Sequence, residues 1–258
     1  MNYCRNRMSM IQFCYEKQST PKDVCDMNEL KKYTSIEDLL DAWKLAFQGK
    51  IKLFIRDGIV SNADYVEPHI LFMMRDMNTD QEDNLREDLY NRGSGWKTWN
   101  NAARWTVALL TGDENYPREI NRRDQMRKVA VINLKKEAGG ARANKKQLED
   151  AVSADGAYTL REIELCDPAI IICGGFGNAG LLKDHVFKEL AGDWKELPAV
   201  SFGGTWWYYF ATINNKQIPV ISFCHPQVTN FKGKRGHDEL FEPLYREMLN
   251  IRKAFLEK

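Results

Sequence analysis

No C-x-x-C pair occurs among the six cysteines, Cys4, Cys14, Cys25, Cys166, Cys173 and Cys224. A zinc or iron–sulfur site is not expected from such spacing. No apolar run approaches the ~20 residues a membrane helix needs, and the opening MNYCRNRMSMIQFCYEK holds no apolar stretch of signal-peptide length. Reduced thiols, a cytoplasmic address and no membrane contact are the expectation. Net charge is nearly absent: 37 Lys and Arg against 36 Asp and Glu leave +1. No global basic field therefore announces a nucleic acid, and such a partner must be held by a local patch. Nucleotide-cofactor fingerprints are missing too. Gly174-Gly175-Phe176-Gly177-Asn178-Ala179-Gly180 has neither G-x-G-x-x-G nor P-loop spacing, and no Lys-Ser/Thr follows. A tight strand–helix turn, one that could face a phosphate backbone through Gly175, fits better. No cofactor is expected, and the sequence shows no repeat and no low-complexity segment.

What is present is an alternation of short apolar runs with helical stripes. The 258 residues, 43% hydrophobic and 28% charged, suit a globular α/β protein. Thr34-Ser35-Ile36-Glu37-Asp38-Leu39-Leu40 opens a helix, continued by Trp43, Leu45, Ala46 and Phe47 up to Gly49. Residues 1–65 thus read as an N-terminal helical extension to a domain spanning 66–258. Core strands are expected at 69–74, 129–133 and 169–173. Between them lie a polar loop over 78–95, a helix through 102–110 stopped by Gly112, and a long helix over 145–165. Leu181 to Leu190 should be helical, 205–213 and 218–223 a hairpin, and Leu240 to Leu256 an amphipathic tail helix. Strands alternating with helices argue a mostly parallel sheet covered on both faces.

Three strands end in a chemically useful residue. His69-Ile70-Leu71-Phe72-Met73-Met74-Arg75 runs into Asp76; Val129-Ala130-Val131-Ile132 runs into Asn133; Pro219 to Cys224 runs into His225-Pro226-Gln227. Ligands of open α/β sheets sit just past the carboxyl ends of such strands. Each residue alone has an ordinary alternative. An acid caps the next segment, an amide satisfies loop backbone, and His-Pro fixes an extended turn.

The combination, in this order, resembles the uracil-DNA glycosylase superfamily. Met74-Arg75-Asp76-Met77-Asn78 stands where that family has Gly-Gln-Asp-Pro-Tyr-His or Gly-Glu-Ala-Pro-Gly. Val131-Ile132-Asn133-Leu134-Lys135-Lys136 stands for its middle-strand asparagine motif. Asp167-Pro168 through Gly174 matches its proline-led strand and glycine, and His225-Pro226-Gln227 its His-Pro-Ser. The similarity spans roughly 68–230. Departures are Met74 for glycine, Met77 for proline and Gln227 for serine.

The resemblance implies a three-layer α/β/α sandwich around a central, mostly parallel four-stranded sheet. It also implies a monofunctional DNA N-glycosylase acting on a flipped-out pyrimidine, monomeric and without cofactor or metal. In that scheme Asp76 activates water and stabilises a cationic sugar, while His225 donates a hydrogen bond to the pyrimidine O2. Asn133 reads the Watson–Crick edge. Trp99 or Trp96 stacks on the base, with core packing as the alternative. Phe231 or Val228 fills the vacated stack. Lys135, Lys136, Arg142, Lys145, Lys146, Lys232, Lys234 and Arg235 could grip phosphates, each being otherwise a solvated surface charge. Asn78 replaces a tyrosine that in strict uracil enzymes blocks C5, so C5-modified pyrimidines enter the candidate list, including hydroxymethylated or glucosylated cytosine of phage DNA. A non-catalytic nucleic-acid binder on the same fold, a nucleoside or nucleotide N-glycosidase, and a structural protein are the alternatives.

Overall fold

The computed structural model describes residues 27–48, 51–79, 82–95, 97–139 and 144–257; Cys4, Cys14, Cys25, Trp96 and Arg142 lie outside them. Two helices come first, α1 (Met27–Leu30) and α2 (Ile36–Ala46). Ser35 caps α2 by accepting the Asp38 N–H, and Leu39, Leu40 and Trp43 bury its apolar stripe completely. Strands β1 (Ile55–Arg56) and β2 (Gly58–Ile59) precede β3 (Ile70–Met74), which is buried at every position. Next come β4 (Asp83–Asn84), α3 (Leu85–Arg92), α4 (Thr98–Thr111), α5 (Arg122–Met126) and β5 (Ala130–Asn133). Then follow α6 (Lys145–Cys166), β6 (Ile170–Gly174) and α7 (Asn178–Leu181). The segment expected as one helix to Leu190 continues α7 as a wide π turn, Leu182–Phe187, and a 3-10 turn, Lys188–Leu190. β7 (Lys195–Pro198), β8 (Thr205–Ile213), β9 (Lys216–Phe223) and α8 (Glu242–Phe255) complete the described chain.

Among the described residues the main sheet has seven strands in the order β2-β5-β3-β6-β9-β8-β7. Its four central strands, β5, β3, β6 and β9, are parallel. They are flanked by antiparallel β2 on one side and by β8 and β7 on the other. The sheet is therefore wider than the four strands expected. One cause is the expected hairpin: Ile213 pairs with Lys216 across Asn214-Asn215, both at positive φ (48° and 62°). A two-residue turn of that hand forces β8 beside β9. On one face α2, α6 and α7 cover Leu71, Met73, Ala130, Ile132, Ile171 and Cys173. On the other, α3, α4, α5 and α8 cover Ile70, Phe72, Val131, Ile172, Ile221 and Phe223. Each large apolar side chain fully buried this way contributes about 1.5–3 kcal/mol.

Two expectations need revision. Residues 27–65 are not only helical, and they are not an appendage. β2 pairs with β5 through Gly58–Val131 and Ile59–Ala130, and Leu39, Leu40 and Trp43 share a core with the central strands. Two-residue strands carry no periodicity, so the sequence pattern shows only their helical neighbours. The stretch 78–95, expected as loop, holds β4 and α3. That helix has few apolar residues but is closed by the Asn84 side chain at its start and by left-handed Gly93 (φ 64°) at its end.

No described helix is long and apolar enough to cross a membrane. Cys166, Cys173 and Cys224 are buried free thiols, each pushed up by burial.

Candidate active site at the strand ends

From β3 the chain moves to β5 on one side; from β5 and β6 it moves the other way, to β6 and β9. The reversal falls between the ends of β3 and β6, where open α/β sheets hold ligands. Asp76 lies just past β3 and His225 just past β9, with β6 between them. Two strand spacings put those ends roughly 10 Å apart. The intervening strand ends in Gly174. A methyl group there would sit 2.8 Å from Met74 Sδ and 3.0 Å from Pro226 Cδ. Its missing side chain lets the segments bearing Asp76 and His225 close over the end of β6.

The Asp76 loop is held by its neighbour. Leu134 N–H donates to Met74 O (3.0 Å), Lys135 N–H to Arg75 O (2.9 Å) and Gly139 N–H to Met77 O (2.8 Å). The parallel ladder thus continues past the strands and carries Gly139 against the Asp76 carboxylate. Asp76 is partly buried. Burial pushes its carboxyl above the ordinary carboxylate range, while Lys135 and Arg75 act in the opposite sense.

His225 is fixed from two sides. Gln227 N–H donates to His225 Nδ1 (3.1 Å), so the neutral ring carries its proton on Nε2. Burial, with Arg75 as a second cause, holds the imidazole below its ordinary value of 6.5. The turn itself is closed by Val228 N–H to His225 O (2.9 Å) and anchored to α4. There Asn101 Nδ2 donates to Pro226 O (2.7 Å) and Thr98 Oγ1 to Gln227 Oε1 (3.4 Å). Arg75 thus acts electrostatically on both Asp76 and His225, while its buried Nε has no hydrogen-bond partner among the described residues. An imidazole donor, a carboxylate and a guanidinium thus stand together at the strand ends. Such a set can orient a water, stabilise a cation and donate to a developing anion.

Several other predicted site residues have different surroundings. Asn133 is 2% exposed, and both its backbone N–H and its Nδ2 donate to Asp57 Oδ2 (2.7 and 2.9 Å). The donor half of its amide is engaged inside the protein, which corrects its expected role as a full reader of a base edge. Lys136 is fully buried between Asp57 and Glu162, 2.7 Å from Glu162 Oε2, and cannot grip phosphate. Burial works against its charge, but the two acids outweigh that and raise its pKa. Burial chiefly, and Asp57 beside it, push Glu162 up to about 8. Lys135 is mostly covered and paired with Glu137 (3.3 Å). Gly175 is buried and its N–H donates to Phe223 O (3.0 Å), so it offers no amide to a phosphate.

Trp99 is 6% exposed and packs in the core with Phe72 and Trp105, which leaves it no open face for a base. Trp96 and Arg142 lie outside the described residues. Asn78 is exposed, bridged through its backbone to Gly139. Gln227, Lys232, Lys234 and Arg235 are exposed beyond the histidine, and Lys145 and Lys146 are exposed at the start of α6. Phe231 is no free wedge. Its ring lies 5.8 Å from Trp206, 6.0 Å from Phe176 and 5.1 Å from Phe202.

Sequence reasoning missed Arg75, Asn101 and Gly139. Arg75 had a usable signal, a cation ending an otherwise apolar strand. Gly139 and Asn101 had none, because their contacts join segments remote in sequence. No protein-family model matches the chain, and no curated protein matches it.

Proposed function

We propose that the protein is a DNA N-glycosylase that removes a non-standard pyrimidine, working on a scaffold like that of the uracil-DNA glycosylases. The observation that carries this reading is the pairing of Asp76 with a tautomer-fixed His225 across the glycine end of β6, at the sheet's switch point. The parallel strands β5, β3, β6 and β9 at the centre of the sheet support that reading.

The target nucleotide leaves the stack and enters the crevice. As the C1′–N1 bond breaks, its electron pair leaves with the base and positive charge grows on the sugar. Asp76, ionised, stabilises that charge and orients a water toward C1′, taking its proton as the new C–O bond forms. His225 Nε2–H donates to the pyrimidine O2, where negative charge gathers, and keeps its proton. Arg75 adds positive potential to the same crevice and favours the anionic leaving base. The products are a free base, reprotonated from solvent, and an abasic site.

Asn78 supports an open pocket. It is small, exposed and stands where the resemblance places a C5-blocking tyrosine, so a hydroxymethyl or glucosyl group on C5 would meet less obstruction. One observation favours an enzyme on free nucleotides instead: with Lys136 buried and Lys135 paired, the basic patch beside Asn133 is smaller than the sequence suggests. Excision assays separate these. Oligonucleotides carrying uracil, thymine opposite guanine, hydroxymethylcytosine or glucosylated hydroxymethylcytosine are expected to yield abasic sites with the native protein and none with Asp76→Ala. Cleavage of mononucleotides with no excision from any oligonucleotide would establish the second reading in its place.

A further inference from the structure

Beside the crevice three rings lie nearly parallel. Phe176 and Trp206 are inclined by 6° at 6.5 Å, Phe176 and Phe231 by 20° at 6.0 Å, and Trp206 and Phe231 by 15° at 5.8 Å. They come from the β6 end, from β8 and from the loop after His225. The foundation is firmly set. Trp206 is buried and donates Nε1 to Glu247 of α8 (2.9 Å), whose carboxylate also accepts Val200 N–H (3.1 Å) and Ser201 N–H (2.6 Å). Phe202, from that same loop, meets Phe231 edge-on. Lys232 Nζ donates to Phe202 O (3.3 Å) and Gly203 O (2.8 Å), tying the two loops together. Upon this base Phe176 stands 61% exposed. A large apolar ring is thus held out to water on an ordered aromatic floor.

The charge around it is one-sided. Residues 225–236 contain Lys232, Lys234 and Arg235 and no acid, and the loops 175–179 and 199–204 contain no acid either. Glu247 beneath Trp206 is buried and its carboxylate is taken up by Trp206, Val200 and Ser201. The surface therefore offers aromatic faces beside cations, which fit an unpaired, polyanionic strand, because every base has a face to stack and every nucleotide a phosphate to neutralise. A duplex offers no such base face, and an apolar protein partner would not need the cations.

We propose that the Phe176–Trp206–Phe231 patch is a stacking subsite for an unpaired base next to the nucleotide held in the crevice, and that the protein takes single-stranded DNA in preference to duplex. The proposal rests on the glycosylase reading for its crevice nucleotide and adds the strand form of the substrate.

Fluorescence anisotropy tests it with a labelled strand of the four ordinary bases, alone or annealed to its complement, so that no base is excised. The native protein is expected to bind the single strand more tightly. Phe176→Ala should weaken that binding on the order of tenfold, leave duplex binding unchanged, and be rescued by Phe176→Trp. Equal binding of both forms by the native protein, or unaltered single-strand binding by Phe176→Ala, would overturn it. So would sedimentation showing a native dimer that Phe176→Ala dissociates without altering DNA binding, because the patch would then serve a second copy. The two ideas fail separately. Absence of excision with a Phe176-dependent single-strand preference leaves the subsite standing, and excision indifferent to Phe176 leaves the glycosylase standing.

Discussion

Gly139 and Asp76 are in such close contact that a methyl group on Gly139 would overlap the Asp76 carboxylate, standing 2.6 Å from its Cγ. Gly139 does not have a positive φ, so its backbone would accept alanine and the conflict is purely steric. Gly139→Ala is expected to displace the carboxylate and to lower excision about a hundredfold, the usual cost of misplacing a reacting group by an ångström. A double-mutant cycle gives an independent check. The melting temperature lost in Gly139→Ala should be largely recovered in the Asp76→Ala background, where the obstructing carboxylate is gone.

Chemistry at the crevice requires Asp76 ionised and His225 neutral. Asp76 lies above its ordinary value of 3.8 and His225 below its ordinary 6.5. The His225 condition is therefore met at neutral pH, and both conditions fail as acid is added. In the pH–rate profile the acid limb contributed by His225 should lie below 6.5, and the limb contributed by Asp76 should disappear in Asp76→Asn. Activity that instead falls as pH rises through the range below 6.5 would show that His225 works as the imidazolium.

The same carboxylate is expected to reduce stability. Its folded pKa is raised above the unfolded one, so between the two the folded state binds more protons and stability falls as pH climbs. Above that window the loss is complete. Asp76→Asn should therefore melt at a higher temperature than the native protein at neutral pH, and the difference should vanish below the ordinary carboxylate value. Thermal denaturation across pH measures this directly.

Lys136 separates a structural lysine from a phosphate-binding one. Lys136→Ala would leave Asp57 and Glu162 facing each other without their cation, and should lower stability by about 3–5 kcal/mol in urea denaturation. The salt dependence of DNA binding by the folded variant should be unchanged, because no phosphate contact is lost.

The central strands are plain in the sequence because Ile70–Met74 and Ile170–Gly174 are unbroken apolar runs and Ala130–Asn133 is apolar up to its last residue, and burial on both faces demands such runs. Asp76 and His225 were legible for the same reason, as the polar residues on which two such runs stop. Lys136 was misjudged because a lysine in a polar loop is normally solvated, and its two acids lie 79 and 26 positions away, at 57 and 162. α3 was hidden by its composition, since caps rather than an apolar stripe define it. The aromatic patch escaped notice because Phe176, Trp206 and Phe231 belong to three segments that only the order of β6, β9 and β8 brings together.

The sealed Asp57–Lys136–Glu162 cluster also constrains how this fold can drift. Loss of Lys136 strands two buried acids, whereas loss of either acid leaves the lysine paired with the other, so the penalty falls on the lysine first while a joint exchange for three apolar residues of matching volume is open. Position 136 should therefore not change alone. Wherever this architecture recurs with position 136 altered, positions 57 and 162 are expected to have altered with it.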